Sequence, residues 1–260
     1  MELTIPKLTK IVMGVRIEVN SVFHEAKNYS SVIKRELEKG NLIIGNGQPI
    51  LILPGFITGD WAVRFLKKQL TKYGYSAHTW ELGINHGMFK DLEPSLSEMI
   101  DYLYELYGVP VILVGWSKGA RISLKIAKKI RSTKVAGIIT LGGPIRPDGR
   151  YSRNDIPPMI NPFRKWVHNI VGELQTPAPL PPKDIPTTVI TFGLDQLVSR
   201  KASEVPKRYL RKNLKNVFIK DCGHVAGGIS AYTVVAITQH IMRDLKQYDR
   251  SHGTHIALAS

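Results

Sequence analysis

Ser117 lies at the point where an apolar segment meets a helical pattern. Residues 110–114 (PVILV) predict a buried strand, residues 115–119 (GWSKG) follow directly, and a helical pattern begins at once. On such a turn, small residues two positions away let neighbouring chain approach closely, and the serine hydroxyl stands above the sheet edge. The helix N-terminus beneath it favours developing negative charge. Ser117 is therefore the candidate nucleophile, with an ordinary loop serine as the alternative.

A serine hydroxyl needs a base within hydrogen-bonding reach before it can attack. The sequence has eight histidines, and His224 differs from the others because it follows the last predicted strand and precedes the Gly227-Gly228 turn. The carboxyl ends of parallel strands gather at one sheet edge, where sites form. We therefore expect His224 to lie near Ser117 as the base.

The third member of such a site is a carboxylate at the end of an intervening strand. Asp195 follows the apolar segment 187–192 and completes the chain order Ser–Asp–His. Its carboxylate would accept the proton on the imidazole nitrogen that faces away from serine, fixing the tautomer and stabilising the imidazolium. Asp221, only three residues before His224, is the alternative acid.

A tetrahedral intermediate also needs two hydrogen-bond donors for its oxyanion. The backbone N–H of Lys118, the residue after the nucleophile, is the first candidate. The second is the N–H of Phe56, because Gly55 allows the loop after the first core strand to fold close to Ser117. Pro54 has no N–H and cannot serve.

The whole chain shows short apolar runs alternating with longer helical patterns, which is typical of a parallel sheet with crossover helices. The predicted fold class is α/β, with a mostly parallel central sheet covered by helices on both faces. The candidate strands are 49–53, 76–80, 110–114, 135–141, 187–192 and 216–220, and the candidate helices lie near 59–73, 93–107, 118–131, 200–212 and 229–247.

Five short motifs resemble the α/β-hydrolase superfamily: LPGF, GWSKG, LGGP, GLDQLV and CGHVAGG. The motif sequences are most similar to those of small bacterial lipases and esterases, in which a PGF loop is followed by W-x-x-G-x-N-x-G, here residues 80–87. The resemblance covers residues 46–245 and implies a triad of Ser117, Asp195 and His224, the two oxyanion donors and an acyl-ester substrate. The chain departs from many relatives in having Pro54 where they have histidine, and GLDQLV where close relatives have T-D-G.

Two regions interrupt the alternation. In the N-terminal segment, residues 1–45, an apolar stripe predicts a helix docked against the hydrolase domain (46–250), with an amphipathic membrane anchor as the alternative. Residues 145–185 are rich in proline and form an insertion between two strands, which predicts a lid or cap, either mobile or rigid. Residues 251–260 are a polar tail. The stripe comprises Val19, Val22, Phe23, Ala26, Ile33 and Leu37, and the candidate pocket residues are Trp116, Phe163 and Trp166, all of which could equally belong to the core.

Composition narrows the choice of partners and cofactors. With one cysteine among 260 residues, no intrachain disulfide can form, and the start of the chain has no apolar run of signal-peptide length, so we expect a cytoplasmic protein. No metal-ligand spacing or phosphate-loop pattern is present, so no cofactor is expected. The net charge of +15 favours peripheral contact with an anionic membrane, although solvated helix faces explain it as simply. Nucleic acid is not expected, since no binding motif accompanies the charge.

These patterns together predict a serine hydrolase that cleaves carboxylic esters, of the esterase or lipase type. Two alternatives remain. The same acyl-enzyme could pass its acyl group to an alcohol or thiol, or the chain could be a non-catalytic hydrolase-fold protein that binds an anionic membrane or a partner.

Overall fold

The computed structural model describes residues 5–148 and 177–253. Within these ranges six strands form one sheet in the order β2-β1-β3-β4-β5-β6, and every neighbouring pair is parallel. The carboxyl ends of all six strands therefore lie at the same edge. The strands are β1 (Pro49–Leu53), β2 (Ser76–Thr79), β3 (Val111–Trp116), β4 (Val135–Leu141), β5 (Thr187–Phe192) and β6 (Leu214–Ile219).

Helices cover both faces of the sheet. In β1, Ile50 and Ile52 belong to one hydrophobic cluster and Leu51 and Leu53 to another, because successive side chains of a strand point to opposite faces. The first cluster is completed by α1, α2 and α6, and the second by α3 and α4. The helices are α1 (Ile5–Glu38), α2 (Asp60–Lys72), α3 (Phe89–Tyr107), α4 (Lys118–Ile130), α5 (Arg200–Ser203) and α6 (Ala231–His252).

The predicted α/β class is confirmed; three of the six predicted strands have the observed bounds, and the other three differ by one or two residues at their ends. The helix predicted near 200–212 is wrong. Only α5 and a 3₁₀ turn at Lys207–Tyr209 form there. Pro206 explains the break, because a proline disfavours helical backbone at the residue before it and removes an N–H donor.

The N-terminal segment forms a helix, α1, that packs against α6, but the helix is far longer than its apolar stripe and only part of that stripe lies on the packed side. Val19, Phe23 and Leu37 are 45%, 70% and 50% exposed and Ala26 is exposed as well, so four of the six residues of the predicted docking stripe lie on the outside. Among described residues no helix is long and apolar enough to cross a membrane. The inward face carries buried polar side chains, from Glu18, Ser21 and Glu25, in addition to the core residues Val32 and Ile33.

The central part of the predicted lid, including Phe163 and Trp166, lies outside the described residues. Its two flanks are described and lie side by side, since the Ala178 N–H donates to the Arg146 carbonyl over 3.2 Å. Both flanks are anchored by buried side chains, Ile145 and Ala178. The lid stays a prediction.

Candidate active site

Ser117 occupies the single residue between β3 and α4. Its backbone has φ 54° and ψ −118°, a left-handed conformation that a residue with a side chain rarely adopts. The turn is held on both sides, because the Ser117 N–H donates to the Leu141 carbonyl (2.8 Å) and its own carbonyl accepts from the Ala120 N–H (3.1 Å). The strained backbone sets Ser117 at the carboxyl edge of a central strand.

Gly119 permits the close packing that this turn needs. A Cβ atom at this position would lie 2.2 Å from the Leu53 carbonyl oxygen and 2.7 Å from that of Pro54. The first turn of α4 therefore packs directly on the loop that follows β1. Only glycine fits without moving one of the two backbones.

Asp195 and His224 are hydrogen bonded to each other. Asp195 Oδ2 lies 2.7 Å from His224 Nδ1, and the two side chains are 2% and 4% exposed. Asp195 Oδ1 accepts from the backbone N–H groups of Leu197 (2.8 Å) and Val198 (2.7 Å). These two bonds fix the carboxylate plane, so that Oδ2 remains directed at the imidazole.

The alternative acid is placed differently. Asp221 is exposed, while the carboxylate on His224 Nδ1 is that of Asp195. The loop after β5 reaches the histidine because β5 and β6 are neighbours in the sheet.

Burial and charge act in opposite directions on His224. Burial lowers the pKa of the imidazole, whereas the negative charges of Asp195 and Glu18 and the hydrogen bond that the ring donates to Asp195 raise it. The net result is a pKa above the usual value. The carboxylates thus stabilise the protonated ring that a general base becomes after it takes a proton.

Trp116 connects the nucleophile turn to the histidine. Its ring lies 5.9 Å from the His224 ring, centroid to centroid, at an interplanar angle of 30°, and its Nε1–H donates to the His224 carbonyl (3.2 Å). Trp116 is 8% exposed and belongs to the core cluster. Its contacts with His224 indicate a support for that residue, and its place in a substrate pocket stays a prediction.

The loop after β1 lies beside the nucleophile, as the oxyanion-donor hypothesis requires. A Cβ atom at Gly55 would lie 3.3 Å from Ser117 Cβ. Among the hydrogen bonds of the described residues, the Phe56 N–H donates none, whereas the next N–H, of Ile57, donates to the Asn85 carbonyl (2.9 Å). The geometry is compatible with Phe56 as a donor.

Asn85 is a residue whose role the sequence reasoning missed. It is fully buried, its Nδ2–H donates to the Pro54 carbonyl (2.7 Å), and its Oδ1 accepts from the Gly87 N–H (2.9 Å). Its backbone also pairs with Ile57 and Thr58. Asn85 therefore holds the loop that carries the proposed donor, and its place in the W-x-x-G-x-N-x-G stretch was the available signal.

Comparison with known protein families and with curated proteins gives no match for this sequence. Solved structures do match. A bromoperoxidase from Bacillus anthracis superposes with a TM-score of 0.54 at 15% identity, covering 78% of this chain and 93% of the other. A thermophilic esterase from Thermogutta terrifontis superposes at 0.51 and 16% identity, covering 78% and 92%. TT1662 from Thermus thermophilus does so at 0.52 and 11% identity, with the same coverage.

The protein has the α/β-hydrolase fold. At these identities the likeness extends to the fold and not to a substrate. In the α/β-hydrolase fold of this chain, Ser117 follows β3, Asp195 follows β5 and His224 follows β6. The parallel sheet thus brings residues up to 107 positions apart to one edge.

Lys118 adds a further titratable group at this edge of the sheet. Its side chain is 4% exposed, and a Cβ atom at Gly87 would lie 3.0 Å from its Cε. Burial, with smaller contributions from the positive charges of Arg121 and Lys125, lowers the pKa of Lys118 to about 7. The ammonium therefore loses its proton near neutral pH, close to the proposed oxyanion donors.

A cleft of about 410 Å³ lies elsewhere on the molecule, along the later turns of α4. None of its lining residues is one of the candidate site residues, and its distance along α4 from Ser117 argues against it as the acyl pocket. It is lined by Phe89, Lys125, Lys128, Lys129, Pro177 and Pro179.

Proposed function

We propose that this protein is a serine hydrolase that cleaves carboxylic esters through an acyl-enzyme. The observation that carries the proposal is the buried 2.7 Å hydrogen bond between Asp195 and His224, at the sheet edge where Ser117 stands in a strained turn. A strained serine backbone and a buried, oriented histidine each cost stability, and such costs are typical of catalytic sites.

In the first half of the reaction, His224 takes the proton of the Ser117 hydroxyl as the oxygen attacks the ester carbonyl. Asp195 holds the imidazole in the tautomer whose other nitrogen can accept that proton. The oxyanion that forms is stabilised by the backbone N–H groups of Phe56 and Lys118, which need no rearrangement at the moment of reaction. His224 then gives its proton to the departing alcohol, leaving the acyl group on Ser117.

In the second half, water attacks the acyl-enzyme with His224 again acting as base. The same intermediate could instead pass its acyl group to an alcohol, so hydrolysis and acyl transfer differ only in the acceptor. The name of the Thermogutta terrifontis protein, an esterase, supports water as the acceptor. Adding an alcohol and measuring the ratio of acid to new ester separates the two.

The deciding experiment uses Ser117→Ala with Ser123→Ala as its matched control. Ser123 is on α4, the helix that follows Ser117, and its hydroxyl donates to the Ala120 carbonyl (2.8 Å). We expect Ser117→Ala to lower hydrolysis of p-nitrophenyl esters by on the order of 10⁴-fold or more and to abolish labelling by a fluorophosphonate. Ser123→Ala should keep both. Labelling of Ser117→Ala at the wild-type rate would exclude Ser117 as the nucleophile.

A further inference from the structure

Glu18, in the middle of α1, makes three hydrogen bonds through one buried carboxylate. Its Oε1 accepts from the backbone N–H groups of Gln196 (2.7 Å) and His224 (3.2 Å), and its Oε2 accepts from Val225 N–H (3.1 Å). The residue is 4% exposed. A carboxylate buried to this extent is costly unless such donors satisfy it, so the contacts define one position for the side chain.

The three donors belong to the two loops that carry the proposed acid and base. Gln196 follows Asp195 directly, and His224 is itself a donor through its backbone. The Asp195–His224 hydrogen bond joins the same two loops through their side chains. Glu18 thus ties together, from outside the sheet, the two loops whose separation sets that bond.

The neighbouring contacts show that the fit is close. Ser21, one turn further along α1, accepts from the Gly223 N–H through its Oγ (2.7 Å). A Cβ atom at Gly223 would lie 2.6 Å from Glu18 Oε2 and 3.2 Å from Ser21 Oγ. Gly223 therefore leaves the space that the two α1 side chains fill beside His224.

We propose that Glu18 is a positioning residue for the catalytic base: it holds the loops of Asp195 and His224 in register and places a negative charge beside the imidazole. The inference rests on the proposed function of that pair. It gives α1, which lies outside the segment that resembles known hydrolases, a role in the reaction. Glu18 does not touch the reacting atoms and acts only through His224.

The negative charge of Glu18 predicts a shift in the pKa of His224, which a packing role alone does not predict. Asp195, from the loop after β5, and Glu18, from α1, are the charged groups that raise the pKa of His224, against the effect of burial, while Trp116 packs against the ring. Removing the charge of Glu18 therefore lowers the pKa of His224 and destabilises the imidazolium that forms when Ser117 is deprotonated. The acidic limb of the activity profile should then move to lower pH while the maximum rate falls.

The test compares Glu18→Gln with Glu18→Asp. Glutamine keeps the size but loses the charge and replaces one acceptor by a donor, so we expect kcat to fall on the order of 10- to 100-fold, with little change in KM. The acidic limb should move to lower pH. Aspartate keeps the charge but is too short to reach both loops, so kcat should fall while the limb stays closer to that of the wild type. If the glutamine variant does not fold, the aspartate variant still tests the positioning through kcat against KM.

Glu25→Gln is the matched control. Glu25 is on the same inward face of α1 and is equally buried, but it contacts Ser230 and Ala231 at the start of α6. We expect this variant to lose stability without moving the acidic limb. Equal losses of kcat in both glutamine variants, with the limb unmoved in both, would reduce Glu18 to a packing role and overturn the proposal.

Titration of the His224 ring by NMR separates this inference from the proposed function, because it needs no turnover. A lower His224 pKa in Glu18→Gln supports the inference even if no ester is cleaved. Full activity and an unchanged His224 pKa in Glu18→Gln, together with an inactive Ser117→Ala, would overturn the role of Glu18 and leave the serine hydrolase standing.

Discussion

The nucleophile turn (residues 115–119) and the base loop (residues 220–228) lie at the same sheet edge but are held in different ways. The nucleophile turn is held by backbone, with Ser117 at φ 54°, its N–H bonded to the Leu141 carbonyl, and Gly119 packed against Leu53. The base loop depends on side chains from elsewhere, since Glu18 and Ser21 bind its backbone across roughly two hundred positions of chain.

The difference indicates that Ser117 and the base loop are positioned in two different ways. The strand-to-helix turn places its serine wherever the sheet forms, because its contacts are with the backbone of β4 and of the end of β1. The base loop follows an edge strand, β6, that has a single neighbour in the sheet. A loop at such an edge has fewer contacts of its own, so an added helix that supplies a carboxylate and a hydroxyl to its backbone gives it a defined position.

Among variants that affect the base loop, Asp195→Asn should cause the largest loss of kcat. An amide in place of the carboxylate presents the wrong imidazole tautomer, and we expect kcat to fall on the order of 10⁴-fold. Asp221→Asn, at an exposed position in the same region, is the control and should be mild. The reverse order of the two effects, measured by ester hydrolysis, would show that Asp221 is the acid.

Two glycine substitutions should separate support by backbone from support by side chains. In Gly119→Ala the new methyl group meets two backbone carbonyls, which cannot move away, so we expect a loss of roughly 1–3 kcal/mol in the free energy of unfolding. In Gly223→Ala it meets the end of the Glu18 side chain, which can move. We therefore expect a smaller loss of stability but a lower kcat.

Denaturant unfolding and ester hydrolysis on the two glycine variants check this contrast. The comparison fails if Gly223→Ala destabilises the fold as much as Gly119→Ala does. It fails equally if Gly223→Ala folds stably and retains the full kcat, since the contact with α1 would then not position the base.

The smallest effect on turnover should come from the outward face of α1. The exposed residues from Thr9 to Lys27 include three basic and no acidic side chains beside an apolar stripe that contains Phe23. We expect Phe23→Glu to leave hydrolysis of a short-chain ester nearly unchanged, because the residue is far from the inward contacts, and to weaken binding to vesicles of anionic lipid.

The matched control is Leu106→Glu, which changes a similarly exposed apolar residue on α3. If both variants sediment with anionic vesicles as the wild type does, α1 does not contact lipid. If Phe23→Glu instead lowers kcat, the outward face matters to the site and the division between the two faces of α1 is wrong.

Much of the sheet and of the site could be predicted because the signals are local. Apolar runs marked the six strands, and GWSKG marked the turn where β3 gives way to α4. Asp195 and His224 could be named because the carboxyl ends of parallel strands share one edge. The helix predicted near 200–212 was wrong because basic residues of good helix propensity masked the effect of Pro206. The apolar stripe on α1 was misread because hydrophobicity was taken as the mark of the docked face.

By itself, the sequence determined the fold class, the strand-to-helix turn at Ser117 and the order of the candidate residues along the chain. These follow from backbone sterics and from the alternation of apolar and polar positions, which act over a few residues. Only the tertiary structure decided that Asp195 rather than Asp221 meets His224, that Asn85 holds the loop of the proposed oxyanion donor, and that Glu18 faces inward. From the sequence alone, a glutamate on an amphipathic helix is expected to face solvent. In the folded protein, backbone N–H groups from residues more than 170 positions away satisfy the charge of Glu18, so the side chain can be buried.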